Sequence, residues 1–167
     1  KAIDKRTKAN GSLVYDLGLI CVENKNYTVA RKSFQYVVGL GETATLYLRA
    51  QNALLNVRFL EITTLRNFSS EELSLTIGEY NGVLNTFGKS RSTLPLILEL
   101  AHIQAFYANN GQAAISLLEE ALIMPGLSEL KKADVKMLLA DIHVLHGDVW
   151  EASLLYMQVD KSFKYES

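Results

Sequence analysis

Apolar residues recur at intervals of three and four along nearly the whole chain, and the interruptions are only a few residues long. Leu13, Leu17 and Ile20 show the period near one end, and Leu138, Ile142 and Leu145 near the other. That period is one face of an α-helix. The Asn10-Gly11 and Asn110-Gly111 pairs, which could turn a hairpin of strands, fall between helical stretches. The spacing predicts helices near 1–9, 12–24, 27–40, 44–66, 70–87, 93–109, 111–124, 129–146 and 149–163. Ser69 with Glu72, and Asp148 with Glu151, have the spacing of capping boxes, and Ser128 precedes another amphipathic run. Pro95 falls in a first helical turn, where its missing amide hydrogen costs nothing. Connections this short bring consecutive helices back antiparallel, as hairpins. The polar stretch "GKSRST" at 88–93 is the best linker candidate, but too short to part independent domains.

Within this pattern small residues recur at a fixed offset. Leu17-Gly18 precedes Ala30 and Phe34; Leu139-Ala140 precedes Ala152 and Tyr156. In both cases thirteen residues separate the leucine from the alanine. A third copy places Leu100-Ala101 ahead of Ala114 and Ala121, one residue longer through the turn. Small side chains at these positions let two helices approach closely, and the large residue four positions after the second one fills the groove between them.

The pattern resembles the tetratricopeptide repeat, W-x2-L-G-x2-Y followed by A-x3-F. Gly147-Asp148 with Ala152 and Tyr156 matches it best, and Leu17-Gly18 with Ala30 and Phe34 comes next. The tryptophan position is occupied by Val14 and Lys136, and no copy has the closing proline. The resemblance implies an all-α, right-handed superhelical array of antiparallel hairpins in one domain over 1–167. Its repeats would be 11–43, 44–88, 92–126 and 129–165, with 1–10 the tail of a preceding repeat and the chain a piece of a longer protein. The copy at 44–88 is degenerate, with Ala50 and Ala53 as its close-contact candidates. "AISLLEEAL" and "GDVWEASLLY" also look like large bacterial cell-envelope members of the family, which implies a periplasmic or envelope location, with the cytoplasm as the alternative.

In such arrays the first helices line a concave surface that receives a peptide or partner protein. Carried over by position, the surface comprises Ser12, Tyr15, Leu19 and Val22, then Leu98, His102 and Phe106, then Asp134, Met137, Asp141 and Val144. The lining is mixed, apolar with acidic points. It lacks the lysine and asparagine set with which chaperone-binding members hold a C-terminal carboxylate; Tyr15, Leu19, Met137 and Asp141 stand there instead. The same side chains could equally pack on neighbouring repeats. The expected activity is a non-enzymatic scaffold for protein–protein interaction, with a helical-repeat RNA-binding module as the alternative. The net charge of −1 offers no field for nucleic acid, and Asp134 and Asp141 oppose a basic groove.

Little else in the chain suggests chemistry. His143 and His146 lie one turn apart with Asp148 following, but His143 takes a packing position and His146 a helix C-terminus, where a partly charged imidazole is favoured. No metal, cofactor or catalytic residue is expected. Glu71-Glu72 and Glu119-Glu120 are adjacent and point apart, as solvated faces do. Cys21, the one cysteine, reads as a small buried hydrophobe. Asn10, Asn26 and Asn67 begin Asn-x-Ser/Thr triplets and are expected to serve as turn and cap residues. No apolar run reaches the roughly 20 residues of a membrane span.

Overall fold

The computed structural model describes residues 10–66 and 68–164, and every regular element among them is helical. The helix expected at 1–9, the repeat tail at 1–10 apart from Asn10, and Asn67 lie outside the described residues. The chain divides into two compact units, 1–69 and 70–167.

The first unit holds α1 (Ser12–Glu23), α2 (Tyr27–Val38) and α3 (Tyr47–Leu60). Asn26 caps α2, its side chain accepting from the Val29 amide at 3.3 Å, and Asn10 takes a left-handed turn conformation. α1 packs on α2, α2 on α3, and α1 touches α3. Gly18 explains how close the first pair comes. A Cβ placed on it would lie 2.5 Å from the Phe34 ring, so only glycine admits the aromatic there. Phe34, Ala30 and Val57 are fully buried in one cluster with Tyr27; Cys21 and Val22, both half-buried, pack around it. The helix expected to run over 44–66 is shorter. It starts at Tyr47, widens into a π-turn over Glu61–Leu65 and stops at Arg66, which is left-handed. Within that last stretch the Thr63 hydroxyl donates to the Phe59 carbonyl at 2.8 Å, a local bond that competes with the regular ladder.

The second unit holds α4 (Ser70–Phe87), α5 (Leu94–Phe106), α6 (Gly111–Leu122), α7 (Glu129–His146) and α8 (Val149–Lys164). Each packs on the next, and α5 also meets α7. That makes α5 the central helix, and its sequence is suited to the place: Leu94, Leu96, Ile97, Leu100, Ala101 and Ile103 are buried on several sides. Tyr80 of α4 is also fully buried and donates its hydroxyl proton to Glu99 at 2.7 Å.

The stretch 88–93 is a closed turn within this unit. Gly88 is left-handed, and the Thr93 hydroxyl, itself buried, donates to the Gly88 carbonyl at 2.8 Å and accepts from the Ser90 amide at 2.9 Å. Pro95 does sit in the first turn of α5, and Ser128 caps α7 through the Lys131 amide. At the other end of α7, Gly147 is left-handed and the Asp148 amide reaches back to the His143 carbonyl at 2.9 Å. This pattern ties off a helix C-terminus and turns the chain into α8. The alanines expected at close helix contacts, Ala30, Ala114 and Ala152, are all buried.

Candidate functional site

On α1 the expected binding residues fall one turn apart, on a side that only partly faces water. The Tyr15 ring lies 5.5 Å from that of Phe34, tilted by 57°, and Val22 packs against the same cluster. Both belong in part to the core of the first unit. Leu19 is the exception, 41% exposed between them.

In the second unit the expected residues come together across two helices. His102 of α5 stacks on Phe106, one turn later, with ring centroids 4.6 Å apart, and on Tyr107 at 5.9 Å. Burial holds the His102 imidazole below its ordinary pKa, while the negative charge of Asp141 on α7 pulls the other way. Burial is the larger effect, so the ring is neutral at neutral pH. Asp141 is itself exposed and accepts a hydrogen bond of 2.6 Å from the Tyr156 hydroxyl of α8. That bond, which favours the protonated phenol, raises the Tyr156 pKa. Met137, one turn before Asp141, is 42% exposed and Phe106 is 38% exposed. Leu98, one turn before His102 on α5, is half-buried, and Val144 on α7 is exposed. Asp134 is engaged by Lys131 at 2.9 Å.

His102, Phe106 and Asp141 are therefore neighbours, joined by two residues outside the expected set, Tyr107 and Tyr156. Tyr107 directly follows Phe106 at the end of α5, where any aromatic lies near the last turn. The spacing assigns Tyr156 only as the ring that fills the α7/α8 groove. Its hydroxyl reaches Asp141 because the helix pair is antiparallel. The Tyr15, Leu19 and Val22 set belongs to the other unit.

The histidine pair of α7 has separate surroundings. His143 Nδ1 stands 3.6 Å from an Asp148 carboxylate oxygen, while the His146 ring presses onto Gly111 at the start of α6. Among the described residues, no group of three or more His, Cys, Asp or Glu converges as metal ligands. No described helix is long and apolar enough to cross a membrane. What the α5/α7 face offers is an aromatic and thioether surface around one exposed carboxylate. Neither a family model nor a curated protein matches this chain.

Proposed function

We propose that the chain is a non-enzymatic protein–protein interaction scaffold of the tetratricopeptide type, taking a peptide or partner protein on the face that carries His102, Phe106, Met137 and Asp141. The observation behind this reading is a contrast in exposure. The small residues at the hairpin contacts are sealed, whereas Phe106 and Met137 keep more than a third of their surface in water on neighbouring helices. Aromatic and methionine side chains are enriched at the centres of protein interfaces. They carry binding energy there because they are desolvated only on association. The Gly18–Phe34 contact supports the repeat reading, since it joins the two signature positions of one hairpin.

A displayed library of unstructured peptides, selected on the intact chain, tests the proposal. Phe106→Ser and Met137→Ser should weaken selected peptides at least tenfold with helicity and melting temperature unchanged. If both variants unfold the protein, the residues are packing and the surface is not a site.

A further inference from the structure

The α5/α7 face carries one exposed carboxylate amid its aromatic rings. Among the described residues the hydrogen-bond partner of Asp141 is the Tyr156 hydroxyl, 2.6 Å from Oδ1. That bond anchors the carboxylate from a second helix and leaves Oδ2 turned to solvent chemistry. The lysines of α7 are engaged elsewhere: Lys131 pairs with Asp134, Lys132 with Glu129, and the charge of Lys136 acts on Glu129. Residues 138–146 contain no lysine or arginine, and neither does α5. His102 is the base nearest Asp141, and burial keeps its imidazole neutral at neutral pH, so it does not cancel the carboxylate charge. Beside that charge lies flat π surface. The His102 ring is 4.6 Å from Phe106 and 5.9 Å from Tyr107 between centroids, each pair tilted by 35°.

We infer that the partner of this face is a basic peptide anchored by an arginine, with the guanidinium stacked on the aromatic rings and its N–H edge on the Asp141 carboxylate. This rests on the reading of the face as a peptide site and names what that site selects. Charge complementarity comes first. A partner that covers Asp141 strips water from it, and an ionised carboxylate is costly to desolvate without a cation or several N–H donors in return. An acidic or purely apolar anchor supplies neither. An ammonium would satisfy the carboxylate alone. A guanidinium is planar and more weakly hydrated, and it lies on an aromatic face while its fork of N–H groups meets a carboxylate. It therefore uses the charge and the rings together. Met137, one turn before Asp141 and 42% exposed, is placed to cover the methylene stem of the arginine.

Peptides are selected from the displayed library on the intact chain, and those that lose affinity for Phe106→Ser are kept, because that loss reports the face itself. The kept peptides should share an arginine. Replacing it by citrulline, equal in shape but uncharged, should weaken binding about tenfold, the combined effect of an exposed ion pair and a cation–π contact. Lysine should recover only part of that loss. Asp141→Asn keeps an oxygen for the Tyr156 hydroxyl; it should weaken the arginine peptides and leave their citrulline forms unchanged. Added salt should weaken binding to the wild-type chain and have little effect on Asp141→Asn. The inference is overturned if the kept peptides lack arginine, or if citrulline binds the wild-type chain as tightly as arginine does. It also fails if a folded Asp141→Asn retains the full preference for arginine, or if lysine serves equally well. In each of these cases the face remains a peptide site of another chemistry. The citrulline comparison uses the unaltered chain, so it decides the matter even if Asp141→Asn unfolds. If no selected peptide responds to Phe106→Ser, the peptide reading falls and the arginine anchor with it.

Discussion

The hairpins α1/α2 and α7/α8 are built on the same spacing, and their burial is reversed. In α1/α2 the second-helix aromatic, Phe34, is completely buried while the first-helix leucine, Leu17, is 48% exposed. In α7/α8 the leucine, Leu139, is 4% exposed, and the aromatic, Tyr156, is only half-buried and hydrogen-bonded to Asp141. The neighbours account for the reversal. α3 covers α2 from outside, so Phe34 is enclosed; no described helix precedes α1. α6 covers α7, so Leu139 is enclosed; α8 packs chiefly on α7. The contact inside a hairpin is written in its own residues, whereas the burial of its outer positions is supplied by the helix that packs beside it.

The largest effect that would break this comparison is at the aromatic positions. Phe34→Ala should cost about 3–5 kcal/mol, the loss for a large buried aromatic. Tyr156→Ala should cost roughly half as much, because its ring loses less buried surface. The leucines should rank the other way, with Leu139→Ala well above Leu17→Ala. Denaturant titrations of the four variants decide it, and equal losses in the two hairpins would refute the role given to the neighbouring helices.

The alanines should behave alike, since they belong to the contact the hairpins share. Ala30→Leu and Ala152→Leu are each expected to lose about 1–3 kcal/mol by overpacking. A silent Ala152→Leu in the same titration would mean that α7 and α8 part more easily than α1 and α2.

The smallest effect concerns the α5/α7 face and needs a titration. The folded-state pKa of His102 is depressed, so the unfolded chain, near 6.5, takes up a proton more readily. The resulting stability is fully present above pH 6.5 and is lost as pH falls through the folded value. Acidification from pH 7 to pH 5 should therefore lower the melting temperature more in wild type than in His102→Gln. An imidazole titration by NMR should place His102 below 6.5, and lower still in Asp141→Asn, where the opposing charge is gone. A midpoint above 6.5 in wild type would show that Asp141 outweighs burial.

Much of the local architecture was legible from residue order alone. Helical periodicity, the Asn26 and Ser128 caps, Pro95 in a first turn and the left-handed Gly147 are decided within a few residues of each position. The alanine contacts were legible for a related reason, since the same offset from Gly18 to Ala30 and from Ala140 to Ala152 places both small residues on the same side of one hairpin. Other features depended on groups far apart in the chain. The stretch 88–93 reads as a polar linker too short to part domains, and only the structure shows that Thr93 is buried and closes it into a turn. Tyr15 and Val22 have the composition of a binding surface, and only the packing of α2 and α3 shows that they belong partly to a core. That the charge of Asp141 reaches His102, and that the Tyr156 hydroxyl bonds Asp141, are likewise invisible to periodicity. The spacing of a sequence sets which face of its own helix a residue occupies. Whether water, a carboxylate or another helix meets that face depends on the packing of distant segments, and only the tertiary structure decides it.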